Sequence, residues 1–193
     1  MVEIGCVDAF MGLYLRARDI LPVPKMRDIV WACGNFVKGD KLPPFEKVQF
    51  LMDLFIEQYI RSLLLGHSNL EYVTESAWAL RQFTGHYDQT EYVWAAGVPQ
   101  ITLQKMRSSL DSRFLSSTLR ILGDFVAEDR PYDVELVNLG LVETIILFLD
   151  FNDHETLKRE TIWTLSNVAA GNQNLKMKLA SPEALGVLFS FFK

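Results

Sequence analysis

Cysteine is scarce: Cys6 and Cys33 are the only two in 193 residues, and neither belongs to a CxxC or a Cys/His cluster. That excludes a disulfide framework and a structural zinc site, and it suits a reduced, intracellular protein. Excess positive charge is also missing. Nineteen Lys and Arg against twenty-four Asp and Glu leave a net charge of −5, which argues against nucleic acid and for cationic ligands. No apolar run reaches the length of a membrane span, because an Asp, Glu, Lys or Arg interrupts each one. The opening stretch MVEIGCVDAFMGLYLRARDI begins on an acid rather than a base. It is a poor secretory signal and reads as an amphipathic helix, so cytoplasm and nucleus are the expected locations.

Catalytic signatures are missing too. No phosphate-binding loop, dinucleotide fingerprint, nucleophile triad or metalloprotease motif occurs. His67, His86 and His154 are scattered without metal-ligand spacing. Neither an enzyme, nor a cofactor, nor a bound metal is expected. Sustained period-2 alternation between hairpin turns is lacking as well, which leaves an all-α chain.

What is there, at 49% apolar residues, is repetition. Trp31 precedes Asn35 by four residues in VWACGN, and Trp163 precedes Asn167 likewise in IWTLSN. AWALRQFTG supplies Trp78 and Gln82, and LRILGDFVAE supplies Arg120 and Asp124 in the same register. The four anchors stand 47, 42 and 43 residues apart. Periods of about 40–47 residues built from two or three helices mark HEAT and armadillo arrays.

With the Trp position as i, the far side of each anchor helix carries i−2, i+2 and i+5. Cys33, Leu80, Leu122 and Leu165 occupy i+2; Phe36, Phe83, Phe125 and Val168 occupy i+5. The i−2 position is weaker, holding Ile29, Ser76, Thr118 and Thr161. This stripe predicts the inward face, with i and i+4 left on the opposite side. Cys33 is then a core residue, not a nucleophile. Trp94, on a short helix, is expected to be plain packing.

Gly97 and Gly140 mark breaks after short first helices, so short, longer and anchor helices make an armadillo unit. Ser68, Asn69, Asn152 and Asp153 are expected caps before anchor helices. The predicted architecture is an all-α, right-handed armadillo-repeat superhelical solenoid. Its single domain holds repeats at about 1–44, 45–89, 90–130 and 131–175, with a further repeat starting over 176–193. Leu188, Phe189, Phe191 and Phe192 crowd the C-terminus where a solenoid needs a polar cap. A fragment of a longer array is the expectation, with a dimer burying the ends as the alternative.

Trp-x-x-x-Asn on successive armadillo anchor helices resembles the importin α (karyopherin α) family of nuclear-import adaptors. The order of departures carries the resemblance. In that family the fourth repeat has Trp and Asn, the fifth loses Asn, the sixth exchanges Trp for Arg, and the seventh restores both. Here the order is Trp31/Asn35, Trp78/Gln82, Arg120/Asp124, Trp163/Asn167. GDKLPPFEKVQ resembles the long proline-bearing loop after the fourth repeat, and KRETIWTLSNVAAGNQNLK resembles the seventh.

The resemblance implies binding of Lys/Arg-rich nuclear localisation signals, held extended along a groove. Asp28, Trp31 and Asn35 match the last repeat of the family's major site; Glu71, Glu75 and Trp78 match positions closing it. Asp124, Val126, Glu160, Trp163, Ser166 and Asn167 match minor-site positions, Asp124 replacing an Asn. Lys38 and Arg120 match basic positions between the two acidic runs. Importin β would bind the full-length protein through a basic segment absent from this sequence. Neither nucleic acid nor membrane is an expected partner. A different armadillo scaffold for acidic or helical partners is the alternative, and a regulatory subunit of an enzyme complex a third reading.

Overall fold

The computed structural model describes residues 5–39, 43–65, 70–86, 89–127, 131–150 and 154–191. Twelve α-helices account for most of these, and no strand occurs among the described residues. They run α1 Cys6–Ala17, α2 Val23–Gly34, α3 Gln49–Leu65, α4 Leu70–His86, α5 Thr90–Ala95 and α6 Val98–Met106. The second half holds α7 Ser112–Val126, α8 Asp133–Asn138, α9 Leu141–Ile146, α10 Glu155–Ala170, α11 Gln173–Leu179 and α12 Pro182–Phe191. The anchor helices of the four sequence copies are α2, α4, α7 and α10. The chain divides into one unit ending at Val98 and a second beginning at Pro99.

In the first unit α4 packs against both α2 and α3. Cys33, Leu80 and Phe83 point inward, and Leu51, Met52 and Phe55 of α3 do likewise, all fully buried. The Phe55 and Phe83 rings lie 5.7 Å apart. Burial pushes the Cys33 thiol up to about 12, as befits a core residue. A polar bridge crosses this core: Gln58 of α3 donates to the Tyr14 hydroxyl of α1, and the Tyr72 hydroxyl of α4 donates to the Gln58 carbonyl. Burial, then the neighbouring Glu57, raises the Tyr14 hydroxyl pKa.

In the second unit α10 packs along α7 and also touches α9, α11 and the 3-10 turn Leu147–Asp150. Asp111 caps α7 by accepting from the backbone N–H groups of Arg113 and Phe114 at 2.9 and 3.1 Å. Asn172 caps α11 in the same way through Asn174 and Leu175. Each satisfies two of the donors that a helix start leaves orphaned. The expected caps Ser68, Asn69, Asn152 and Asp153 lie outside the described residues. Left-handed backbone at Gly97 (φ 76°) and Gly140 (φ 75°) makes the breaks that the sequence marked there.

Two details differ from the periodicity. The α2 helix stops at Gly34, so Asn35 is its C-cap rather than an interior residue. Phe36 is therefore only half-buried, its ring edge-on to Phe10, and Val37 takes the core place instead. The i−2 position is also less weak than its polar residues imply. Ser76, Thr118 and Thr161 are all fully buried. The two threonines hide their hydroxyls by donating to the carbonyls of Phe114 and Leu157 four residues earlier.

Candidate functional site

The candidate residues fall into two clusters, one in each unit. In the first, Asp28, Trp31 and Asn35 on and just past α2 stand beside Glu71, Glu75 and Trp78 of α4. In the second, Asp124 and Val126 of α7 stand beside Glu160, Trp163, Ser166 and Asn167 of α10. The helix pairs α2/α4 and α7/α10 bring each set together.

Trp31 is 54% exposed, and Trp78 and Trp163 are half-buried. The Lys38 ammonium stands 5.5 Å from the centroid of a Trp78 ring, within cation–π range. This chain therefore already places one lysine on the indole surface that sequence reasoning assigned to a ligand's lysine.

The carboxylates are engaged in the same manner. Arg27 donates to Asp28 through Nη2 at 2.7 Å and Nε at 3.1 Å, and reaches across to Glu71 with its other nitrogen. Those hydrogen bonds, Asp28 first, raise the guanidinium pKa further. Glu75 is half-buried; burial pushes its carboxyl above the usual range, against the opposing pull of Arg27. In the second unit Arg120 grips Glu160 with two parallel hydrogen bonds of 2.6 Å. Such fork-to-fork pairing is the strong form of a charge-assisted bond.

The outward face is less open than the helical period predicts. Val126 is fully buried, Glu160 is 4% exposed and Asp124 is 8% exposed. Val126 sits one residue past the core Phe125 at the end of α7, still on the inward side. Glu160 is covered because its partner Arg120 folds over it, so it serves first as an internal counter-ion. These three do not form an accessible surface as they stand.

The carboxamides are half-committed to the backbone. Asn35 donates to the Trp31 carbonyl at 2.8 Å and Gln82 to the Trp78 carbonyl at 3.2 Å. Asn167 reaches to the preceding anchor helix and donates to the Gly123 carbonyl at 3.1 Å. Asn35 and Asn167 are half-buried, and each keeps its oxygen and a second N–H, enough to pair with one extended segment, whereas Gln82 is buried at 6% exposure. Ser166 donates to the Trp163 carbonyl at 2.7 Å.

Sequence reasoning missed Arg27, whose place beside Asp28 and one repeat ahead of Glu71 was the available signal. It also missed Gly34 and Gly123. A shallow cavity of about 400 Å³ in the first unit is lined by Asp53, Ile56, Glu57, Tyr92, Ala95 and Ala96, none of them a candidate. There the Tyr92 hydroxyl donates to Asp53 at 2.6 Å.

Indoles one repeat apart on packed anchor helices, with amides one turn further on, are the arrangement that the sequence motif predicts. Importin subunit alpha-9 of Arabidopsis thaliana is 26% identical over 176 residues, which are 84% of this chain and 32% of that protein. Importin subunit alpha-1a of Oryza sativa subsp. japonica is 26% identical over 183 residues, 93% of this chain and 33% of that one. Importin subunit alpha-2 of the same plant reaches 28% over 169 residues, with 84% and 31% covered. Its curated relatives are importin α subunits. This chain spans about a third of the length of the importin α proteins that it matches.

The fold agrees. A designed armadillo repeat protein in complex with the peptide (KR)4 superposes at TM-score 0.75 and 18% identity, covering 98% of this chain and 75% of that one. Armadillo repeat proteins computationally designed for modular peptide recognition give 0.74 at 17%, covering 98% and 75%. No family model matches. The chain has an all-α armadillo-repeat fold, and its sequence is similar to importin α subunits.

Proposed function

We propose that this chain binds Lys/Arg-rich peptides, of the nuclear-localisation-signal class, in extended form along the indole faces of its anchor helices. It would act as an adaptor that carries cargo and performs no chemistry, in cytoplasm and nucleus. One observation carries the reading: Lys38 over Trp78. An ammonium already rests on the indole that the proposal gives to a ligand's lysine, so the slot has the right size and polarity. The relationship to importin α subunits and the likeness to a designed armadillo protein holding (KR)4 support it.

The physics is modest in scale. An ammonium on an indole face is worth about 0.5–2 kcal/mol, and its apolar stem adds buried area. Neighbouring helices pack about 8–10 Å apart and an extended peptide advances about 3.3–3.6 Å per residue. Each anchor helix therefore meets two or three peptide residues, which suits clustered basic signals. The asparagine amides would pair with the peptide backbone regardless of its sequence.

In-chain cations temper the charge. Asp28, Glu71 and Glu75 face Arg27 and Lys38, and Asp124 and Glu160 face Arg120, so each cluster keeps a formal net charge of −1. That leaves a weak preference for cations, and modest affinity is expected because each cluster is built from only one pair of anchor helices. Titrating the chain with a fluorescent Lys/Arg-rich peptide and with an acidic control tests the proposal. The basic peptide should bind and should lose affinity when Trp31 and Trp163 are both changed to alanine. Preference for the acidic control would instead favour the scaffold reading, to which the Arg27 and Arg120 pairs lend some weight.

A further inference from the structure

Each half-buried indole lies on a bare stretch of the neighbouring anchor helix. A Cβ built on Gly34 would stand 2.6 Å from Cζ3 of Trp78, and one on Gly123 would stand 2.3 Å from Cζ3 of Trp163 and 2.9 Å from its Cη2. Carbon atoms in contact need about 3.5–4.0 Å, so no other residue fits either place without moving the ring. Both glycines are buried; Gly123 lies inside α7, where glycine costs about 1 kcal/mol against alanine, and Gly34 is the last residue of α2. A buried glycine at the same register in two units calls for a reason, and the ring contact supplies it.

The register makes the reason general. Gly34 is three residues past Trp31, and Gly123 is three residues past Arg120. The next anchor after each carries a tryptophan, Trp78 and Trp163. The second anchor has Arg81 at that same place, and the anchor that follows it carries Arg120 instead of Trp.

We infer that Gly34 and Gly123 are positioning residues: seats that let the following repeat's indole lie against helix backbone and so fix which ring face is offered to a cationic side chain. The glycine at i+3 of one repeat thus decides whether the next repeat can present an indole slot. The inference rests on the peptide-binding reading for its consequence, but the seat itself is a statement about two side chains and two backbones. Asn167, donating to the Gly123 carbonyl, shows how close α10 and α7 come at that point.

The test is a double-mutant cycle in the full chain, with Gly34→Ala, Trp78→Ala and both together. Affinity for a fluorescent Lys/Arg-rich peptide and the urea midpoint are measured for each. Gly34→Ala should weaken binding about two- to thirty-fold, the span of one cation–π contact, and should have no further effect once Trp78 is alanine. If Gly34→Ala does not fold, Gly34→Ala with Trp78→Phe removes the benzo ring that clashes and should restore the urea midpoint. The same cycle on Gly123 and Trp163 should repeat the pattern.

Effects of Gly34→Ala and Trp78→Ala that simply add, in both binding and stability, would overturn the seat. So would a folded Gly34→Ala chain that binds as the parent does. A parent chain that binds no basic peptide would sink the functional reading alone, because the stability cycle still reports whether glycine and indole are coupled.

Discussion

The α2/α4 pair and the α7/α10 pair are built from the same sequence pattern, yet they hold their charge differently. In the first, Arg27 spans two exposed carboxylates, and Lys38 lies over an indole at the surface. In the second, one arginine closes the Nε/Nη2 edge of its guanidinium on a glutamate whose side chain is 6% exposed. The first arrangement can be exchanged for a ligand's cations at little cost, because water solvates whatever is released. The second cannot, because freeing Glu160 would strand a buried charge. Related repeats can therefore differ between a binding face and a structural clasp without changing their Trp and carboxylate register.

The largest effect should come from breaking the clasp from its exposed side. Arg120→Leu leaves Glu160 buried without its partner and should cost about 2–3 kcal/mol, below the full penalty of a wholly buried pair because Arg120 is partly solvated. Glu160→Gln leaves only a half-exposed guanidinium and should cost less. Urea denaturation of the two variants measures the difference, and equal losses would remove the distinction drawn between the two pairs.

A smaller effect is expected in the first pair. Lys38→Ala should vacate the Trp78 face and strengthen binding of a Lys/Arg-rich peptide about two- to tenfold, with little change in stability. Fluorescence anisotropy at two salt concentrations would read it. Weaker binding on losing Lys38 would mean that the lysine helps to hold the peptide rather than competing with it.

The smallest effect concerns Glu75. Its carboxyl titrates above the ordinary range because it is partly buried, so the folded state favours the protonated form. That contribution is fully present below the unfolded-state value of about 4.5 and is lost as pH rises through the folded value. Glu75→Gln should therefore gain thermal stability relative to the parent as pH goes from 4 to 7. A constant difference across that range would show that Arg27 cancels the burial.

The fold was legible because the inward stripe is periodic: Cys33, Leu80, Leu122 and Leu165 recur at one register and all are buried. The indole and amide positions were legible for the same reason. What periodicity cannot convey is which charges meet. Arg27 lies 44 residues from Glu71, and Arg120 lies 40 from Glu160, so only packed helices reveal those pairs. The burial of Val126 and Asp124 escaped a face-by-face reading, because residues at the end of α7 are covered regardless of the side they occupy. The seats at Gly34 and Gly123 escaped it too, since a glycine in a helix announces only what it lacks.

Look-alike repeats face a hazard of their own, since a helix can dock on the wrong neighbour and still bury its apolar stripe. The Tyr14–Gln58–Tyr72 bridge answers that hazard in the first unit. Both ends of the Gln58 amide are spoken for by different helices, so a slip of even one residue strands a dry carboxamide, at about 1–3 kcal/mol per orphaned group. Apolar contacts forgive such errors; this bridge functions as an address, admitting α1 and α4 to α3 in one alignment and penalising every other.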